Sequence, residues 1–600
     1  MSSTSSLDTC LVSQEIRELV KEGSLISPGF NEERVQPSSF EPITGDEVFI
    51  LDTDTGLFRP MGNQSVYRTL LEMPKRKREK VSTLNGFEVK RGNSYLIHLE
   101  EKVKEDDMVR FILSSPKSSI GRTFPNTRLL ADYNASFDEV QNFPGTTLDL
   151  WILLQPLAFN SIIGPGIALN QLRFFSGLGA KLSPKEILEE WDENPLLWEK
   201  ISGNRVAPIK YPTITNALQL HLGLKGEGTS GISALRARPN PNPIDLRSGN
   251  PLPSEQYHEP LKARNGKLTL RPAEHYLLSS SEVLKVPRDR NAELGMYSHL
   301  GLSGPLHKAG FVDNGFNGDL VFEVTSQEPT SIEVVDGMPI GELHVFRTGQ
   351  PDKSYGRRIR SNYQGQRGPR TSKFFGPFDF EMAAKNAAKL DREVLVQDAN
   401  ILLRSRRLPQ GFEPMNESEA QTIFENIEER GFYHSRYDCE GDSLVLQIIP
   451  YCLVFGPDQQ VFSYTRASNI KDYGDRRLFG KDSLGLGGHI ARTDAPNHIK
   501  SCLRREVFDE EIESSKRFSR PRFLGTLYQP DNPVDQVHFG LVFATHTKGD
   551  VNPKEASIPS GKMMSIRDIK QDATASERYE TWSRVLIPHL PEMYRRSRPT

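Results

Sequence analysis

The feature that most constrains this chain is an internal echo. GTTLDLWILLQP at 145–156 parallels GDLVFEVTSQEP at 318–329, and PGIALNQLRFF at 165–175 parallels DGMPIGELHVF at 336–346. A repeat of this spacing demands two similar units in tandem. The apolar runs at 48–51, 95–98, 109–113, 148–154 and 172–175 are of strand length, are broken by turn residues and lack helical period, so each unit is expected to be an all-β barrel or roll. The strand pattern resumes at 268–270 and continues through 345. Helical signals lie at 13–21 and 183–191; in the second, Ser183 is the N-cap, Pro184 the first helical residue and Glu186 the close of a capping box. Between the units, 203–266 is rich in Pro, Asn, Gly and Ser and predicts a connector with long loops.

The two copies differ at one telling place: Leu150 aligns with Glu323 in the echo. A carboxylate flanked by Val321, Phe322 and Val324 is costly to bury, so the second copy is the one expected to hold chemistry. A helix is expected over 383–390, and a boundary near 395. Beyond it, strands at 444–449, 461–464 and 537–544 mix with helices at 417–430 and 499–511, an α/β or α+β pattern. The expected division is therefore 1–200, a connector at 201–266, 267–385, and 395–600, since 600 residues exceed one core.

Composition narrows the partners. A net charge of −3 gives no footprint for nucleic acid or an anionic membrane. The 4 cysteines include no C-x-x-C pair and make no disulfide framework. The start MSSTSSLDTC lacks an apolar signal region, and no run approaches a membrane span. The chain reads as cytoplasmic, with a small molecule as partner. PKRKREK at 74–80 reads as an exposed loop.

Two segments can carry chemistry in the repeats. SPKSSIGR at 115–122 packs Lys117, the hydroxyls of Ser118 and Ser119, a glycine and Arg122 into eight residues, a composition suited to an anion and equally to a polar turn. FVDNGFNGDLVFEV at 311–324 offers Asp313, able to orient a ribose hydroxyl or a base, and Glu323, able to move protons or to stand as a paired carboxylate.

Together these segments resemble the dCTP deaminase family of the trimeric dUTPase-like superfamily. RVQPSSFE at 34–41, SPKSSIGR, HKAGFVDNGFNGDLVFEV at 307–324 and the arm SYGRRIRSNYQGQRGPRTSKF at 354–374 match its segments in order. The stretches TRLLADYNASFDEV at 127–140 and AELGMY at 292–297 are similar to the long, duplicated form. Glu41 stands where Asp is more usual, and Asn362 where short members carry Lys.

The resemblance implies a zinc-free conversion of dCTP and water to dUTP and ammonia. Zinc deaminases hold their water with a His/Cys/Cys set; no such set is evident here, which leaves a carboxylate. Glu323 is then the general base and acid, its pKa raised by apolar neighbours. Ser118 and the carbonyl of Ala309 position the water, and Arg122 stabilises charge. Lys117, Ser119, Asp313, Tyr355 and Gln366 hold the nucleotide, with Mg²⁺ riding on the triphosphate. PRDRNAELG at 287–295 is expected to match the first copy's loop without its serines, so each copy is half a site, meeting within one chain or between chains of a homo-oligomer. A dUTPase-type pyrophosphohydrolase or a nucleotide sensor with little turnover are the alternatives.

GLGGHIARTDAPNHIKSCLRREVFDEEI at 485–512 holds a glycine turn before a helix. At α-helical spacing Glu506, Asp509 and Glu510 share one face, as a divalent site or a solvated acidic surface would. The segment is similar to the Nudix box, with Gly488 leading in and Arg505–Glu506 as its RE, though Ile512 replaces the final glycine. The resemblance implies Mg²⁺ at Glu506, Asp509 and Glu510 and a phosphohydrolase able to carry dUTP to dUMP. The whole is expected to be multidomain: two tandem all-β dUTPase-like units of β-clip type, then an α/β Nudix-like domain.

Overall fold

Two tyrosines set the register of the repeat. In the computed structural model, Tyr95 and Tyr276 each accept a hydrogen bond at 2.8 Å on the hydroxyl from the backbone N–H five residues earlier, that of Lys90 and of Arg271. The structure describes residues 8–52, 58–201, 205–238, 242–296, 310–326, 331–356, 359, 361–390, 393–402, 410–439, 445–467, 480–530, 535–555, 557–572 and 578–599. They fall into two units, 1–384 and 385–600.

In the first unit, strand Ser94–Val103 pairs with Leu148–Pro156, and strand His275–Lys285 pairs with Asn317–Thr325, both antiparallel. Each pair slips register at the equivalent place, between His98 and Lys102 and between Ser279 and Val283. Leu96 then faces Leu153, and Leu277 faces Glu323. The counterpart of Glu323 is therefore Leu153, and not Leu150 as the echo suggests. Strand parity gives the reason: successive side chains point to opposite faces. Leu148, Leu150, Ile152 and Leu154 fill the main core of the first copy. Trp151 and Leu153 lie in a separate cluster with Phe49, Leu96 and Leu130, covered by Val66 and Leu70 of helix Val66–Glu72. Ser65 caps that helix through its side chain, and the Val66 N–H donates to Asp132 at 2.8 Å.

A second sheet pair repeats as well. Asn170–Phe175 pairs with Phe111–Pro116, and Pro339–Arg347 with Arg290–Met296. Asn170 faces Pro116 and Gly341 faces Met296. The counterpart of the loop at 117–122 is thus 297–302, outside the described residues. The expected match at 287–295 is corrected, because those residues form strand Arg290–Met296 and its lead-in.

Residues 201–266 are no connector. They supply strands Val206–Pro208, Leu218–His221, Ala234–Ala237, Ile244–Asp245 and His258–Leu261. Ala234–Ala237 pairs with His275–Lys285, and Leu218–His221 with Pro339–Arg347. These strands run to four residues at most, too short to show a period among prolines and glycines. The basic run at 74–80 is likewise not all loop: Arg78–Ser82 is an edge strand on Thr44–Leu51, where lysines discourage further pairing. The expected capping box is present, with the Ser183 N–H donating to Glu186 at 2.8 Å ahead of helix Pro184–Glu189.

The second unit is built on a mixed sheet in which Val445–Phe455 runs parallel to His538–His546, flanked by Arg522–Tyr528 and Glu393–Asp398. Helices Gln421–Arg430 and His498–Leu503 cover one face, and Thr581–Leu586 and Leu590–Ser597 the other. Its first strand starts at Glu393, so a boundary at 395 would cut that strand. No helix among the described residues is long and apolar enough to cross a membrane.

One buried ion pair anchors the N-terminal segment of the first unit. Glu101 is fully buried and takes Arg34 at 2.5 Å, the Ser27 hydroxyl at 3.0 Å and the Ile43 N–H at 2.7 Å. Replacing Arg34 with Met strands that carboxylate, and a loss of about 3–5 kcal/mol is expected in chemical denaturation. Arg34→Met with Glu101→Gln should recover most of it; a single variant as stable as wild type would show the pair to be inert.

Candidate active site

The loop after strand Phe111–Pro116 makes one helical turn, Ser118–Gly121, and Arg122 follows it. Phe124 then takes a left-handed conformation (φ 61°) and turns the chain into strand Pro125–Ala131. Such backbone strain in a non-glycine residue needs compensation. The fully buried ring supplies it, packed 5.5 Å from the His275 ring and 6.1 Å from Phe159.

Arg122 is 3% exposed and is held entirely by the second copy. Its Nη2 donates to Gln366 at 3.0 Å and its Nη1 to the carbonyl of Arg370 at 3.2 Å. Its guanidinium lies 3.7 Å over the Tyr363 ring. Its Nε stands 3.8 Å from Glu323 Oε1. Glu323 is 1% exposed, in strand Asn317–Thr325. The first-copy loop and the second-copy strand therefore meet inside one chain.

The arm wraps this pair. Gln366 accepts from Arg122 and donates through Nε2 to the Asp319 carbonyl at 2.5 Å. Gly318 (φ 158°) lets it approach, for a Cβ there would lie 3.1 Å from the Gln366 nitrogen. Tyr355 packs edge-on to Phe316 at 5.6 Å, and burial pushes its hydroxyl pKa up. The Ser372 hydroxyl donates to the Ser119 carbonyl at 2.6 Å, tying arm to loop. Lys117 pairs with Glu41 at 2.5 Å. Asp313 is buried, and burial pushes its carboxyl up against the opposing pull of Arg173, whose Nη2 lies 3.3 Å away.

Lys117, Ser118, Ser119 and Arg122 from the first copy and Asp313, Glu323, Tyr355 and Gln366 from the second all line one cavity. Ala309 lies outside the described residues. Among the residues of that wall that escape sequence reasoning are Gln171, Tyr363 and Lys373. Tyr363 and Lys373 sit in the arm segment quoted for the resemblance, where only Tyr355 and Gln366 are singled out. Burial and the neighbouring Lys117 push the Lys373 ammonium pKa down. Arg173 is missed because a single arginine in an apolar strand carries no motif.

The acidic segment of the second unit departs from expectation. Helix His498–Leu503 continues as a π-helix over Arg504–Glu511. Its i→i+5 bonding widens the turn, so residues three apart no longer superpose. Asp509 turns out to Arg504 at 3.7 Å. Arg505 takes Glu506 at 2.5 Å, Asp494 at 2.8 Å and Glu510 at 3.6 Å. Asp509 thus leaves the face on which Glu506 and Glu510 both meet Arg505, and among the described residues no three His, Cys, Asp or Glu side chains gather as a metal requires. With Arg505 among these carboxylates, they do not fit Mg²⁺ as expected. The wider turn instead buries Glu511, whose Oε2 has no hydrogen-bond partner. Burial, then Glu506, push its pKa well above the carboxylate range. Gly488 permits the close packing, since a Cβ there would fall 2.3 Å from Glu506.

Comparison with known proteins bears on the first unit. The family model of the 2′-deoxycytidine 5′-triphosphate deaminase N-terminal domain matches residues 8–178, and that of the C-terminal domain matches 198–375. A "dCTP deaminase, dUMP-forming" of Streptomyces griseus subsp. griseus is 39% identical over 113 residues, 18% of this chain and 59% of that protein. Its namesake in Streptomyces avermitilis is 40% identical over 110 residues, 18% of this chain and 58% of that protein. The chain thus spans under two thirds of the length of these relatives. The crystal structure of 2′-deoxycytidine 5′-triphosphate deaminase from Agrobacterium tumefaciens is 25% identical, with a TM-score of 0.51, over 58% of this chain and 97% of that one.

The burial of Glu511 has a measurable sign. Its folded pKa is raised, so the cost of burying it is absent below the unfolded value and grows as pH rises through and above it. In chelator-containing buffer, Glu511→Gln is expected to melt higher than wild type at pH 8, by about 2–4 °C for each kcal/mol relieved. The gain should fade towards pH 4; a variant that melts no higher at pH 8 would refute it.

Proposed function

The chain belongs, through residues 8–375, to the 2′-deoxycytidine 5′-triphosphate deaminase family, and from that premise we propose that its first unit hydrolyses the 4-amino group of dCTP. The observation that carries the reading is the approach of Arg122 to Glu323 across the two copies, inside one cavity. Addition of water to C4 needs a base for the water proton and an acid for N3 and the leaving amine. Glu323 takes the proton from water as oxygen bonds to C4, and the proton passes to N3. The C4–N bond then breaks with a proton delivered to nitrogen, releasing ammonia. Proton transfer of this kind contributes about 10²–10⁴-fold. Arg122 stabilises the carboxylate form and charge that develops on the ring. Ser118 and the Ala309 carbonyl orient the water. Lys117, Ser119, Asp313, Tyr355 and Gln366 hold sugar and phosphates, with Mg²⁺ arriving as part of the substrate. The reading asks for no second chain, since both half-sites belong to one.

The final product is where the sequence reading and the relatives part. The sequence leads to dUTP, whereas the relatives' names specify dUMP. We therefore take dUMP and pyrophosphate as the end products, by hydrolysis of the phosphate chain after deamination. A Nudix-like second unit is one candidate for that hydrolysis, through the half-buried Glu506 packed against Gly488 and the buried Glu511. Accumulation of dUTP in Glu506→Gln would assign the step to that unit; unchanged dUMP would assign it to the first.

Ammonia and nucleotide products measured together on dCTP test the main reading. Wild type should release one ammonia per dUMP. Ser118→Ala and Glu323→Gln should each lower the rate by about 10²–10⁴-fold. Full activity in either would overturn the assignment; dCTP binding without ammonia would mark a sensor, and pyrophosphate from dUTP without ammonia a dUTPase-type enzyme.

A further inference from the structure

Resting on the proposed deamination, we infer that Arg173, a first-copy residue outside the cavity, is a positioning residue for the second copy's nucleotide-binding floor at Phe311–Asp313. Arg173 is 0% exposed. Its Nη1 donates to the Ala292 carbonyl at 2.7 Å and its Nη2 to the Val312 carbonyl at 2.9 Å and to Asp313 Oδ1 at 3.3 Å. Its guanidinium lies 4.2 Å from the Phe311 ring centre. Phe311, Val312 and Asp313 all line the cavity. Every one of these contacts crosses from the first copy to the second.

The origin of the side chain matters as much as its contacts. Arg173 faces Leu113 in the strand pair whose other end launches the loop at 117–122. One rigid pair of strands thus extends two buried arginines into the second copy, Arg122 to Glu323 and Arg173 to Asp313. Burying a guanidinium is costly unless it is engaged; here Nη1 and Nη2 reach three acceptors, while Nε has no hydrogen-bond partner. An apolar residue would pack this seam at less cost, so the arginine is retained for what it fixes. The repeat supplies an internal control. The counterpart of Arg173 is His344, which faces Glu293 in its strand pair. Its Nδ1 is buried with no hydrogen-bond partner, and burial pushes its pKa down to about 4. The arginine is therefore built in one copy only, as Glu323 is, whose counterpart is Leu153.

The titratable groups that act on Asp313 are Arg173 and Glu41, with Cys10 and Tyr355 also coupled to it. Arg173 is the cation that favours its carboxylate form, opposing burial. Loss of Arg173 should then push the Asp313 pKa higher and carry the acid limb of kcat/KM upward.

Ammonia release from dCTP across pH, with dCTP affinity by calorimetry, tests this on wild type, Arg173→Met and Arg173→Lys, each with and without Asp313→Asn. For Arg173→Met the acid limb should rise by about one pH unit or more, and KM should suffer more than kcat. Arg173→Lys keeps the charge but cannot fork to three acceptors, so it should hold the limb near wild type with weaker affinity. With Asp313→Asn present, Arg173→Met should weaken dCTP binding by less than about twofold further. A wild-type pH profile in Arg173→Met, wild-type affinity in Arg173→Lys, or equal losses with and without Asp313 would overturn the inference. If melting curves show that Arg173→Met does not fold, the Lys comparison decides alone. A wild type that releases no ammonia would fell the proposed function, and this inference with it; active wild type with unmoved variants would fell only this one.

Discussion

The first unit depends on buried charge that neither copy can satisfy alone. Arg122 and Arg173 leave the first copy and end against Glu323 and Asp313 of the second, each 8% exposed or less by side chain. Apolar surfaces tolerate sliding; a buried guanidinium does not, because a displaced one forfeits its partners and keeps its desolvation cost. The seam is pinned further by neutral bonds, from the Gly310 N–H to Ser115 at 2.9 Å and from Ser372 to the Ser119 carbonyl at 2.6 Å. Docking of the copies and assembly of the cavity are thus one event. A unit with its seam misregistered would lose stability and chemistry together.

Duplication lets the halves specialise. Where the second copy carries Glu323, the first carries Leu153 under helix Val66–Glu72, packed with Phe49 and Trp151. A buried leucine contributes about 1.5–3 kcal/mol, whereas a buried carboxylate must be compensated. A symmetric pair would bear that cost twice. Here the twin of Glu323, Leu153, is part of a hydrophobic core.

Much of the cavity was legible because its residues cluster in short polar segments inside apolar surroundings. Ser118, Arg122, Asp313 and Glu323 stand out for that reason, and the arm adds Tyr355 and Gln366. What the sequence misaligned was geometry. Matching Gly145 to Gly318 lines up similar letters yet pairs an inward leucine with a residue of the opposite face. Parity would have warned of this: Glu323 shares a face with Val321, and Leu153 with Trp151. The supposed connector failed for a different cause. Strands such as Ala234–Ala237 exist because His275–Lys285 offers them a partner, a long-range fact that no local window contains. Arg173 was invisible on the same ground, since its meaning lies in three acceptors more than a hundred residues away.

The second unit shows how one change of helical pitch redirects a functional reading. RREVFDEE read at 3.6 residues per turn gathers Glu506, Asp509 and Glu510. The π-helix needs the same letters and no insertion visible in the sequence, yet it turns Asp509 out to Arg504 and Glu511 into the core. Glu511 then sits near Cys452 and Tyr464, whose pKa values burial pushes up and Glu511 pushes further, and one of its oxygens is unpartnered. A π segment is rare and concentrates at functional sites. A buried carboxylate with one oxygen unpartnered is likewise a cost that folds seldom keep. Both fall on the same eight residues, behind the same glycine turn. That coincidence, more than the letters of the segment, is what sets these eight residues apart from an ordinary acidic helix surface.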